Sequence, residues 1–168
     1  TYNREAFNNS AIGRLPFVNG VKCINGMVFD VDTECDNVVF PDEDEDLHTI
    51  ANHLPFEKIK QITVHRGSTV QLLYRCNTLP KAINICGNLG ESVCQTKEEM
   101  ASRLTIDSIA ELCDREGVEN INIFDDSKTY KSIDSIVYSY DGKRLLKCPR
   151  GKTGQVTIPK GTEIIAAN

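Results

Sequence analysis

One spacing of apolar residues keeps returning along the chain: an apolar residue, two others, an apolar residue, one other, an apolar residue. Ile12-Gly-Arg-Leu15-Pro-Phe17, Cys35-Asp-Asn-Val38-Val-Phe40, Ile59-Lys-Gln-Ile62-Thr-Val64 and Val118-Glu-Asn-Ile121-Asn-Ile123 fit it in full. Ile83-Asn-Ile85, Leu104-Thr-Ile106 and Val156-Thr-Ile158 fit its second half. The apolar-x-apolar ending is the period of a short strand that buries one face. The central positions 15, 38, 62, 83, 104, 121 and 156 follow one another at steps of 23, 24, 21, 21, 17 and 35 residues.

The first four steps match the 20–29 residues of a leucine-rich repeat. A unit of that length has room for one strand and a return to the start of the next, and no single unit can bury its apolar face. Stacked neighbours bury it and pair their backbones in a parallel sheet. The expected fold is therefore α/β: a right-handed leucine-rich repeat solenoid with a parallel sheet on its concave side. The whole of 1–168 reads as one such domain, with an irregular or helical part at about 88–117.

Two steps need their own account. The long one holds Ile136-Val137-Tyr138 and Leu145-Leu146 on either side of Asp141-Gly142. Asp-Gly between β-prone runs predicts a hairpin with a type I′ turn. Met27-Val28-Phe29 and Pro41 match Ile136-Val137-Tyr138 and Pro149 at offsets of 109 and 108, so the inserted hairpin is expected twice, with one residue added in the first copy. The short step holds a capping-box pattern, Thr96 with Glu99, then Met100, Leu104, Ile109, Leu112 and Cys113 at near-helical spacing before Gly117. Either Leu104–Ile106 is a strand followed by a helix from about Asp107, or the stretch is one helix.

Composition narrows the function. The 168 residues are 40% apolar and 26% charged, ordinary for a globular domain, with a net charge of −5. An acidic chain is not a general binder of nucleic acid or anionic membranes. No apolar run approaches the roughly 20 residues that span a bilayer, and no signal peptide opens the sequence. The seven cysteines (Cys23, Cys35, Cys76, Cys86, Cys94, Cys113, Cys148) contain no C-x-x-C pair. They read as buried small apolar residues or, alternatively, as one or two disulfides of a secreted protein.

The stretch 127–165, "SKTYKSIDSIVYSYDGKRLLKCPRGKTGQVTIPKGTEII", resembles the BspA-like leucine-rich repeat proteins of bacterial surfaces. Val156-Thr-Ile158-Pro159-Lys-Gly161-Thr-Glu-Ile164 matches the first half of that family's repeat. Glu5-Ala6-Phe7-Asn-Asn-Ser10-Ala-Ile12 matches the second half, with Ser10 where Cys is common, and Asp134 to Leu145 matches its hairpin. The resemblance implies a segment of a longer array in a secreted or cell-surface bacterial protein. Its role would be non-enzymatic: a protein-binding or adhesion module contacting a protein or glycan of a host or neighbouring cell. The alternatives are a structural spacer presenting another domain, or a carbohydrate-active enzyme.

In such a solenoid the residues between the apolar positions face out from the concave sheet. The row runs from Arg14 and Pro16 through Asn37 and Val39, and the binding face is placed on Gln61, Thr63, His65, Asn84, Asn120, Asn122, Gln155 and Thr157. Other motifs carry less. The acidic run at 42–46 lacks the glycine and glutamate spacing of an EF-hand and reads as a solvated loop. "RGKTG" at 150–154 has Leu146 where a phosphate loop needs glycine, and reads as a turn. His48, His53 and His65 are scattered with no hydrolase or zinc-protease motif, so no catalytic residue, metal site or cofactor is expected. Asn8-Asn9-Ser10 is a glycosylation sequon, relevant only in a eukaryotic secretory host.

Overall fold

The computed structural model describes residues 10–41, 47–65, 67–86, 105–124 and 129–166. The chain is mixed α/β, mostly sheet. In order it forms β1 (Val21–Ile24), β2 (Met27–Val31), β3 (Asn37–Val39), β4 (Thr49–Ile50), a 3-10 turn (Phe56–Lys58), β5 (Gln61–Val64), α1 (Gly67–Leu73) and β6 (Ala82–Ile85). There follow α2 (Ile106–Cys113), β7 (Asn120–Ile123), β8 (Tyr130–Ile133), β9 (Ile136–Ser139), β10 (Arg144–Lys147) and β11 (Ile164–Ile165).

The central sheet has the order β3-β5-β6-β7, and every pair in it is parallel. Val38, Ile62, Ile83 and Ile121 stand side by side in one register row. Parallel neighbours need a crossover between them. The 3-10 turn, α1 and α2 lie on those crossovers. One face of the sheet carries Val38, Phe40, Ile62, Val64, Ile83, Ile85 and Ile121, all at most 1% exposed. They share a core with Val70 and Leu73 of α1 and Ile109, Leu112 and Cys113 of α2. Each such side chain contributes roughly 1.5–3 kcal/mol through its burial, so this interface is the main source of stability.

The last crossover spans 38 residues, from Ile83 to Ile121. Ile106 opens a helix and does not sit in a strand. Thr105 is the N-cap: the Ser108 amide donates to its Oγ1 at 3.1 Å. Both the predicted capping box at Thr96 and position Leu104 lie outside the described residues. Two further strand positions are corrected. Around Leu15 the chain turns, with the Leu15 amide donating to Ile12 O at 3.1 Å. Val156-Thr-Ile158 runs as irregular chain, and the last strand is β11, parallel to β10. Pro149 and Pro159, which lack an amide donor, bracket that irregular stretch.

The duplicated hairpin also differs from the sequence reading. β1–β2 turns on Asn25-Gly26 and β8–β9 on Asp134-Ser135, all four at positive φ, as a type I′ turn requires. An offset of 109 maps one turn on the other. The Asp141-Gly142 turn between β9 and β10 is a four-residue loop with only Gly142 at positive φ, and Gly142 N donates to Ser139 O at 2.8 Å. Its counterpart does not exist in the first copy, because β3 leaves β2 and pairs with β5.

The hairpins close the two edges of the central sheet. On the β3 side Val39 N donates to Asn19 O at 2.9 Å. On the β7 side Ile121 N donates to Ser135 O at 3.3 Å and Ile123 N to Ser132 Oγ at 2.8 Å. Otherwise exposed ladder groups are thus satisfied.

Candidate functional site

The strand alternation that buries Ile62, Ile83 and Ile121 points their neighbours to the opposite face. There Thr63, Asn84 and Asn122 form one register row. Ser135 Oγ donates to Asn122 Oδ1 at 2.8 Å, Asn122 Nδ2 to Asn84 Oδ1 at 2.9 Å, Asn84 Nδ2 to Thr63 Oγ1 at 3.3 Å, and Thr63 Oγ1 to Asn37 Oδ1 at 2.9 Å. All four bonds run in the same direction across the sheet, so each polarises the next. Thr63 and Asn84 are only 8% and 7% exposed. Three of the predicted binding residues therefore spend their polar groups on one another.

The adjacent row is different. Asn37, Gln61, Ala82 and Asn120 are in register. The half-buried amides of Gln61 and Asn120 make no side-chain hydrogen bond among the described residues. Between them stands Ala82, so the strands that carry the two amides are two spacings, roughly 9–10 Å, apart. One residue before this row Lys81 Nζ pairs with Glu119 Oε1 at 2.8 Å. His65 follows β5 at the end of the same face and is half-buried. Gln155 and Thr157 are exposed on the irregular stretch before β11, and the structure does not bring them to the sheet. Arg14 and Pro16 are likewise exposed in the turn region that precedes β1.

A second feature was not anticipated. A groove of about 290 Å³ lies between the turn before β1 and the end of β3, lined by Leu15, Pro16, Val18, Asn19, Val21, Cys23, Val39 and Pro41. Lys22 pins its rim: Nζ donates to Gly13 O at 2.7 Å and sits 4.5 Å from the centre of the Phe17 ring. The signal available in the sequence was the apolar excess of Ile12, Leu15, Phe17 and Val18, which the strand reading absorbed.

The remaining chemistry is structural. The Arg115 guanidinium donates to the carbonyls of Tyr74, Cys76 and Asn77, satisfying the chain just after α1. Burial pushes the Tyr74 phenol up to about 12; among the described residues its hydroxyl has no hydrogen-bond partner, and the nearby Ser108 hydroxyl is engaged with Thr105 at 2.9 Å. Burial likewise pushes the Cys76 and Cys113 thiols up to about 12. Among the described residues no two cysteines are joined in a disulfide, and Cys94 lies outside them.

In "RGKTG" the glycine has a steric reason: a Cβ at Gly151 would stand 2.6 Å from Val118 O. Lys152 Nζ donates to Asp134 O at 2.8 Å, tying this turn to the β8–β9 hairpin.

Among the described residues no group of three or more His, Cys, Asp or Glu could hold a metal ion, and no helix is long and apolar enough to cross a membrane. No known family, characterised protein or solved structure matches the chain, so its chemistry is argued from its own geometry.

Proposed function

We propose that the chain is a non-enzymatic binding module, a leucine-rich-repeat solenoid segment of a secreted or cell-surface protein that holds a protein or glycan on the polar face of its parallel sheet. The observation that carries this reading is the pairing of a fixed polar ladder with an adjacent row of unspent amides. The ladder from Ser135 to Asn37 holds the face rigid. Gln61 and Asn120, flanking Ala82, offer donors and acceptors whose geometry is set by the strands that carry them. Groups held in place before contact lose little entropy on binding, and paired amide and hydroxyl edges suit sugar hydroxyls or an extended peptide. The contact surface is thus narrower than the row read from the sequence, and it omits Gln155 and Thr157.

The test is a glycan array together with capture of extracellular-matrix proteins by the immobilised chain. A ligand whose binding drops at least tenfold in Gln61→Ala/Asn120→Ala, with unchanged thermal stability, supports the reading. A ligand unaffected by that pair moves the site elsewhere, and hydrolysis of a glycan on the array would replace the binding role with an enzymatic one.

A further inference from the structure

We propose that Cys113, at the end of α2, and Cys148, just past β10, form a cross-linking pair. A low-molecular-weight disulfide such as oxidised glutathione joins them reversibly and staples the last crossover helix to the C-terminal sheet. This goes beyond the ligand-binding reading and does not depend on it.

The fold lays the segment that carries one thiol along the segment that carries the other. Arg150 N donates to Cys113 O at 2.7 Å, and Gly151 N to Val118 O at 2.9 Å. On the other side of Cys148, Lys147 Nζ pairs with Asp114 Oδ1 at 3.0 Å. Cys148 is therefore flanked by residues fastened to Cys113 and to its next neighbour. A disulfide needs Cα atoms within about 7 Å of each other, and chains tied together at these points bring that separation within reach.

The side chains agree with the backbone. Burial raises the Cys113 thiol to about 12; Lys147 pulls it down, and Asp114 and Cys148 push it up. The influence of one charge on another falls off with distance, so the two sulfurs are themselves neighbours. They also sit at the junction of two packed regions. Cys113 belongs to the core shared by the central sheet and its helices, and Cys148 packs on the smaller cluster of Ile136, Tyr138 and Leu145.

Exposure sets the order of events. Cys148 is half-buried and Cys113 is fully buried, so a small oxidant meets Cys148 first. Burial raises the Cys148 thiol, and Lys152, its side chain only 13% exposed, pulls it back and so favours the attacking thiolate. That thiolate attacks one sulfur of oxidised glutathione. The S–S bond breaks, and one glutathione leaves and takes up the proton that Cys148 gave. Cys113 then gives up its proton, attacks Cys148 Sγ and displaces the second glutathione, which takes that proton. The two protein thiols are oxidised to one disulfide, and the oxidant is reduced to two thiols. The new bond closes a loop over 113–148 that contains β7 to β10, and it restrains the unfolded chain accordingly.

The experiment treats the purified, reduced chain with oxidised glutathione at pH 8, blocks the remaining thiols in acid-quenched denaturant and maps the products by peptide mass spectrometry. Wild type is expected to join the Cys113 and Cys148 peptides and to melt roughly 5–10 °C above the reduced chain. A dithiol reductant should reverse both changes. Cys113→Ala is expected to stop with glutathione held on Cys148, and Cys148→Ser to leave Cys113 unmodified. Wild type in which either thiol stays reduced, or pairs with a different cysteine, overturns the proposal. A bond that forms only in urea, or that lowers the melting temperature, overturns it as well, since either outcome places the two thiols too far apart in the folded chain.

Discussion

Asn122 gives its side-chain amide to Asn84 Oδ1 at 2.9 Å across the parallel pair β6 and β7. Asn84 is 7% exposed and passes its own amide to Thr63. Removing it leaves a hydroxyl and an amide short of partners where water enters poorly. Asn84→Ala is expected to cost about 1–3 kcal/mol in urea denaturation. Because the bonds are coupled, Thr63→Val/Asn84→Ala should cost less than the sum of its single substitutions. Simple additivity would mean that the ladder is a row of independent contacts.

The register row of Ile62, Ile83 and Ile121 is the core's spine. Ile83→Ala is expected to lower stability by about 2–5 kcal/mol, against less than about 0.5 kcal/mol for the exposed Ile165→Ala. Chemical denaturation of the two variants side by side checks the contrast.

Two glycines near the C-terminus should fail for different reasons. A Cβ at Gly151 meets the Val118 carbonyl at 2.6 Å, so Gly151→Ala is expected to cost about 1–3 kcal/mol through displaced backbone. Gly154 has open space around it but a φ of +90°, so Gly154→Ala should cost about 1 kcal/mol from backbone strain alone. Thermal melts rank them, and a second variant, Gly154→Asn, should recover part of the smaller loss.

Alkaline pH should weaken the fold. Burial holds the Cys76 and Cys113 thiols protonated up to about 12, with Arg115 and Lys147 respectively pulling the other way, while the same thiols ionise near 9 once exposed. Between those values the folded chain binds more protons at these thiols than the unfolded one, so their contribution to stability is level below pH 9 and falls as pH rises from there toward 12. The limiting slope is about 1.4 kcal/mol per pH unit for each group. Urea midpoints at pH 8 and pH 10.5 measure it, and a flat profile would place both thiols in water. A thiol-specific reagent at pH 8 should label neither cysteine until the chain unfolds.

The apolar spacing made the rungs at Val38, Ile62, Ile83 and Ile121 legible, because a strand buried on one face must repeat every second residue. It misled at Leu15 and Val156, where the same spacing serves a turn and an irregular stretch. Their apolar side chains are 38% and 37% exposed, and spacing carries no information about exposure. The sequence reading passed over both turns: Asn25-Gly26 carries the Asn-Gly signal of a type I′ turn, whereas Asp134-Ser135, a non-glycine pair at positive φ, leaves no compositional mark. Thr63, Asn84 and Asn122 lie on β5, β6 and β7, and their mutual hydrogen bonds depend on register between segments 21 and 38 residues apart. A single sequence holds no record of that register.

Ser132 has a consequence beyond local satisfaction. Its hydroxyl accepts from Ile123 N at 2.8 Å and donates to Ile123 O at 3.4 Å, imitating the peptide group of an absent fifth rung. Together with Ser135 O, which accepts from Ile121 N at 3.3 Å, that oxygen caps the outer edge of β7. A further parallel strand could pair with β7 only by displacing those contacts, so this edge is closed to the templated stacking that turns open β-structure into fibrils.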